Sequence, residues 1–261
     1  MTNILVKEKS IVVPGEVLAE GMDYLPGFGT YRDNNKIITS RLGIIIVDGR
    51  ALKIIPVTGS YNPKQHDTII GKVVDVTMSG WRINTNSAYT AMLMLKDGSS
   101  EYIARGADLT SYYNLDDYVV CKIIKMTSQR LIDLTMKGPG LKKLTGGRII
   151  NVNPYKVPRI IGKQGSMVTM IKSATGCQII VGQNGRIWLN GGPEDEALAV
   201  QTLKKIEAES HHKGLTDKIK IYLEKKTGKK IETTDNRNQG EQGNSNQGFV
   251  KPSQNEQGER Q

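Results

Sequence analysis

The sequence predicts a multidomain, mainly β chain with one α+β unit on its C-terminal side, and three observations carry that prediction. Short apolar runs, punctuated by glycine, proline and polar turns, fill residues 1–137. Helical apolar spacing appears only later, after "RIINV" at 148–152. Residues 232–261 then hold Phe249 and Val250 as almost their only apolar side chains, so packing should stop before them. At 261 residues the chain has room for two or three domains of ordinary size.

Residues 1–62 read as a β-rich unit. "GIIIVDGRALKIIPV" at 43–57 is two strands joined at Asp48 and Gly49, while "VVPGE" and "PGFGTY" punctuate loops. Seven basic residues balance six acidic ones, which gives no reason to expect nucleic acid here. Apolar strands without a chemical constellation point to a docking surface. The "GFGT" glycines resemble a phosphate loop weakly, since no helix pattern follows.

Residues 65–137 read as all-β. "TIIGKVVDVT", "GWRINT", "AMLML", "SEYIAR" and "YVVCKIIKMT" have strand length, with "RLIDLTMK" as a further candidate and "KDG" at 96–98 marking a hairpin. Five such strands in about 70 residues suit an OB barrel.

Residues 146–228 alternate the two element types. After "RIINV", Pro158 suits a first helical turn, and "RII" carries the helix to Gly162. "SMVTMIKSAT" is apolar at 167, 168, 170 and 171, and Gly176 stops it. "CQIIV" and "RIWLN" flank "GQNG", a hairpin at Asn184 and Gly185. Pro193 opens a last periodic helix with acids in its first turn. The order is β-α-GxxG-α-β-β-α, with a helical extension to 228. Residues 229–261, rich in Asn, Gln, Gly and Glu, are expected to be disordered.

Charge is uneven. Residues 139–231 carry seventeen basic against seven acidic side chains, and no acid occurs between Asp133 and Glu194. Nine cations fill that gap: Lys137, Lys142, Lys143, Arg148, Lys156, Arg159, Lys163, Lys172 and Arg186. A solvated face usually mixes signs, so this one is expected to meet phosphate.

Other classes find little support. No apolar run is long enough to span a membrane, and "MTNILVKEKS" lacks a signal-peptide core, so a cytoplasmic protein without membrane contact is expected. Cys121 and Cys177 sit far apart in apolar runs and read as buried thiols, with no zinc or other cofactor expected. His66, His211 and His212 have no ligand-like or nucleophile–base spacing, no G-x-x-x-x-G-K-[ST] loop occurs, and the acids at 116–117 and 194–196 lack convergent partners. No catalytic residues are expected.

A bare GxxG is a weak signal, since the spacing recurs at 182–185 and 240–243. In its setting, "VPRIIGKQGSMVTMI" at 157–171 resembles the signature of a type I KH domain. The resemblance implies that Gly162, Lys163, Gln164 and Gly165 clamp a nucleic-acid backbone, with Lys156, Arg159, Lys172 and Arg148 beside it. "GKVVDVT-x-x-GW" and "LIDLTMK" resemble an S1 domain, the RNA-binding version of the OB barrel. Base stacking would then rest on Trp81, Tyr89, Tyr102 and the pair Tyr112 and Tyr113, with Arg82 and Arg105 on phosphate. The usual aromatic–histidine pair on the following strands is not evident.

An N-terminal β unit, then S1, then a single KH, opening with "VVPGEVLAEG" and "PGFGTY", resembles the S1–KH type of RNA-binding cap subunit of the archaeal exosome over residues 1 to about 228. That resemblance implies a non-catalytic subunit that recruits and threads single-stranded RNA, A-rich strands among its candidates, for 3'-to-5' degradation. Its partners would be a ring of RNase-PH-type subunits and other cap subunits, three per ring. The alternative is a Nus A-like transcription-elongation factor, although that family has two KH domains after S1.

Overall fold

The computed structural model describes residues 3–104, 106–127, 129–210, 212 and 214–228. The tail expected to be disordered and the phosphate contact expected of Arg105 lie outside the described residues.

The first unit is built from β1 (Asn3–Ile4), β2 (Ile11–Val12), β3 (Val17–Glu20), β4 (Leu25–Pro26), β5 (Thr30–Asp33), β6 (Lys36–Thr39), β7 (Gly43–Asp48) and β8 (Ala51–Pro56). They form two four-stranded sheets, ordered β1-β3-β6-β5 and β2-β7-β8-β4. Alternation along β8 turns Leu52 and Ile54 inward, where they pack with Val12, Leu18, Ala19, Ile37 and Ile45. The "GFGT" turn folds onto this unit and is not a phosphate loop. Gly27 N–H donates to Thr30 Oγ1 at 2.8 Å, and a Cβ on Gly27 would lie 2.8 Å from Leu52 O. Its glycine is there for close packing.

The second unit consists of β9 (Thr68–Thr77), β10 (Gly80–Asn84), β11 (Thr90–Met94), the single turn α1 (Leu95–Gly98), β12 (Tyr118–Met126), β13 (Ile132–Thr135) and β14 (Lys143–Leu144). The order β13-β11-β10-β9-β12, closed by β12 against β13, is a five-stranded barrel, and β14 adds to β12. Two expectations fail here. "KDG" at 96–98 makes the helical turn α1 instead of a hairpin, and Gly98 is needed because a Cβ would come within 2.5 Å of the Trp81 ring. "SEYIAR" is not a strand: β11 pairs in parallel with β13, so 132–135 takes the barrel position and the segment at 100–104 has no ladder to join.

The third unit runs β15 (Arg148–Asn151), α2 (Val157–Ile161), α3 (Ser166–Thr175), β16 (Gln178–Val181), β17 (Arg186–Asn190), α4 (Pro193–Ala208) and α5 (Leu215–Thr227). This is the β-α-α-β-β-α order of a type I KH domain plus one appended helix. The antiparallel sheet is ordered β15-β17-β16. Strand alternation divides its side chains between two cores. Ile179, Ile187 and Leu189 pack with the helices, which contribute Val157, Ile160, Met167, Ile171, Leu203, Ile206 and Ile219. Trp188, Ile149 and Ile180 pack the other way, onto Ile70, Val120 and Leu144 of the barrel. The sheet is therefore covered on both faces, and the exposed surface of this unit is helical.

Candidate nucleic-acid interface

The quartet at 162–165 breaks a helix for two separate reasons. Gly162 ends α2 with its N–H donating to Pro158 O at 3.0 Å, at φ 76° and ψ 177°. That backbone region is open only to glycine. A Cβ there would also sit 2.8 Å from the backbone nitrogen and the Cβ of Met167, in the first turn of α3. Gly162 thus brings the two helices together. Gln164 (φ 53°) and Gly165 (φ 81°) are both left-handed and turn the chain into α3. Around Gly165 a Cβ would meet nothing within 4 Å. Gly162 serves the fold, whereas Gly165 leaves bare backbone facing open space beside the exposed Lys163 and Gln164.

Partners sort the nine cations. Arg186 is 9 % exposed and faces the barrel, not solvent. Lys143 pairs with Asp117 at 2.5 Å. Lys156 donates to Glu207 O at 2.9 Å, tying the start of α2 to the end of α4. Lys142 lies over the Trp188 ring, 5.7 Å from its centroid. Lys137, Arg148, Arg159, Lys163 and Lys172 are exposed and, among the described residues, their side chains have no ion pair or hydrogen-bonded partner. Lys163 belongs to the quartet, Arg159 precedes it on α2, Lys172 lies further along α3, and Arg148 stands on the edge strand β15.

The seam with the barrel is made by the other GxxG spacing, "GQNG". Its Asn184 is fully buried: its Nδ2 donates to Ile70 O and Thr85 O, each at 2.8 Å, and its Oδ1 accepts from Ile70 N–H at 3.3 Å. Arg186 donates to Asn84 O and Asn84 Oδ1 at 2.8 Å. Burial lowers the pKa of its guanidinium, which lies 5.9 Å from the centroid of the Tyr118 ring. Sequence reasoning counted Arg186 as phosphate-facing and missed Asn184. The one available signal was a polar residue at a hairpin tip between two strongly apolar strands.

The barrel does not assemble the expected stacking platform. Trp81 is 0 % exposed, with Nε1 donating to Tyr113 O at 3.0 Å and its ring edge-on to Tyr113 at 4.9 Å. Both rings belong to the core, as does the half-buried Tyr112. Tyr89 is half-buried under Arg130, whose guanidinium lies 5.0 Å from the ring centroid. Arg82 faces Asp75 at 3.4 Å. Tyr102 alone of these aromatic rings stands free in solvent, at 88 % exposure.

The thiols are inert by position. Cys121 is enclosed in the barrel, which pushes its pKa up to about 12, and Cys177 is buried under α3. Among the described residues no group of three His, Cys, Asp or Glu side chains could hold a metal ion, and no helix is long and apolar enough to cross a membrane.

Comparison with known proteins adds two family models and a set of close relatives. Residues 147–195 match the KH domain model, and residues 9–58 match the model described as the exosome RNA binding protein RRP4 N-terminal domain. The exosome complex component Rrp4 of Thermococcus kodakarensis is 40% identical over 227 residues, covering 85% of this chain and 88% of the relative. That of Methanothermus fervidus is 40% identical over 221 residues, covering 84% of this chain and 97% of its own. The chain belongs to the Rrp4 family of exosome components. The Methanothermobacter thermautotrophicus Rrp4 is 38% identical over 226 residues, covering 86% of this chain and 71% of the relative. A crystal structure assigned as an exosome complex RNA-binding protein matches with a TM-score of 0.58 at 33% identity, covering 64% of this chain and 97% of that one. Membership in the Rrp4 family sets aside the transcription-elongation alternative. The KH match ends at residue 195, so α5 lies beyond it.

Proposed function

We infer that this Rrp4-family chain is a non-catalytic, cytoplasmic RNA-binding subunit of an exosome. It holds single-stranded RNA by its backbone at the quartet of Gly162, Lys163, Gln164 and Gly165. It docks through residues 1–62 on a ring of RNase-PH-type subunits, three such caps per ring, and threads the strand inward for 3'-to-5' degradation. The observation that carries the RNA reading is local. Bare backbone at Gly165 shares its loop with Lys163, which lines one cleft with Arg159, and the side chains of these two exposed cations have no internal partner among the described residues. Lys172 and Arg148 extend the positive surface, while Lys156 supports α2 and acts indirectly. Tyr102 is the barrel ring best placed to stack on a base.

The non-catalytic reading rests on what the acids already do. Asp116 pairs with Lys72 at 2.7 Å, Asp117 with Lys143, and Asp67 accepts from Tyr61 Oη at 2.6 Å. Glu194, Asp195 and Glu196 occupy the first turn of α4, where a carboxylate suits the helix dipole.

Replacing both Lys163 and Gln164 with Asp tests the RNA site, because it keeps the glycines and puts two anions where phosphate would lie. RNA affinity should drop, and the log–log salt slope should fall by roughly 0.7 for each phosphate that is no longer neutralised. The effect should be similar across base sequences, with melting almost unchanged. Unchanged affinity and slope would remove the quartet from the RNA site.

A further inference from the structure

We propose that the appended helix α5 completes the RNA site: the cleft between it and the quartet seats one ribose-phosphate unit, and Thr216 reads the ribose 2'-hydroxyl. This rests on the reading that the quartet holds RNA.

Among the clefts on the helical face, two are walled in part by α5. The larger, about 520 Å³, is lined by Glu194 and Asp195 against Lys226 as its one cation, so it repels phosphate. The smaller, about 310 Å³, is lined by Arg159, Gly162, Lys163, Ser166, Leu215 and Thr216, with no carboxylate among its lining residues. Charge therefore selects the smaller cleft, and it adjoins the quartet directly. Its volume is at the lower end of ligand clefts, roughly 300–1,000 Å³, which suits a single nucleotide unit and not a stack of bases.

Its polar groups are also unspent. Other side chains of this unit are used internally, such as the Thr175 and Thr202 hydroxyls, which donate back to their own helices, and Lys156, which is tied to α4. Arg159, Lys163, Ser166 and Thr216 are all exposed, and none of their side chains has a hydrogen-bond or ion-pair partner among the described residues. Two cations match a phosphate. Two hydroxyls on opposite walls, Ser166 from α3 and Thr216 from α5, can donate to and accept from a ribose hydroxyl, the group that separates RNA from DNA.

The test uses the full chain with oligoadenylate and oligodeoxyadenylate of equal length, and two variants. Thr216→Val keeps the shape and removes the hydroxyl. It should lower the preference for RNA over DNA by about fivefold, the worth of one net hydrogen bond, without changing the salt slope. Arg159→Gln should weaken binding and reduce the slope by at most roughly 0.7, since Lys163 still faces the same phosphate. The Thr216 ratio decides. If it stays at the wild-type value, or if the wild-type chain binds both oligonucleotides alike, the proposal is overturned. The double Asp substitution at 163 and 164 separates the two readings. If it weakens RNA binding while Thr216→Val leaves the ratio unchanged, the quartet reading survives and the α5 cleft falls. If the double Asp variant binds RNA like wild type, both fall.

Discussion

A guanidinium has five donors and keeps its charge in protein, so burying one commits it to acceptors that must be in place. Arg186 meets that condition on the barrel, at Asn84 O, Asn84 Oδ1 and Ile70 O. Asn184 beside it serves the carbonyls of Ile70 and Thr85. Replacing Arg186 with Met removes the donors but leaves their carbonyls inside the seam. Unfolding free energy should fall by about 2 kcal/mol, the range for stranding buried acceptors. RNA salt slope should stay at the wild-type value, since this cation faces no phosphate. A variant that melts normally and loses slope would return Arg186 to the RNA surface. Composition could not separate this arginine from Arg159: both lie in the same acid-free interval, and only the fold shows which cation has carbonyls around it.

Elements were legible where one periodicity ran uninterrupted between clear stops. The β7–β8 hairpin turns at Gly49 (φ 59°), α3 stops at Gly176 (φ 69°), and α4 opens at Pro193, each as its local chemistry requires. The strand expected of "SEYIAR" fails because its buried Ile103 is an anchor in the barrel core and not one of a row of strand neighbours. Likewise the quartet's glycines looked equivalent in sequence, although one is steric and the other conformational. Substituting each in turn by Ala separates them. Gly162→Ala combines a glycine-only backbone region with approaches of 2.8 Å, and should cost about 3 kcal/mol. Gly165→Ala meets open space and should cost only about 1 kcal/mol of left-handed strain. Because its methyl would project where backbone must approach backbone, Gly165→Ala should still weaken RNA binding. Thermal melts beside RNA titrations check both. Equal destabilisation by the two would mean that Gly165 is packed, and the loop would lose its claim to an open RNA-facing surface.

At the scale of the whole chain, the third unit holds the other two. Its sheet is clamped to the barrel, and its 153–155 segment holds the connection out of the first unit. Asn153 Nδ2 donates to Val57 O at 3.3 Å, and Tyr155 Oη donates to Ser60 O at 3.4 Å. The first unit differs in its surface. It carries ten of the nineteen exposed large apolar side chains among the described residues, including Ile11 at 70 %, Met22 at 70 % and Leu25 at 57 %. That surface supports the docking role proposed for this unit. Removing residues 1–56 while keeping 57–60 should leave a cooperative barrel–KH fragment with wild-type RNA affinity and salt slope. The same fragment should no longer assemble with RNase-PH-type ring subunits, as read by co-purification and sedimentation. Cutting beyond residue 60 should in addition lower melting, because Asn153 and Tyr155 then lose their acceptors. A fragment that keeps full ring association would move the docking surface to the barrel. One that loses RNA as well would mean the strand also runs over the first unit, despite its near-neutral balance of seven basic and six acidic residues.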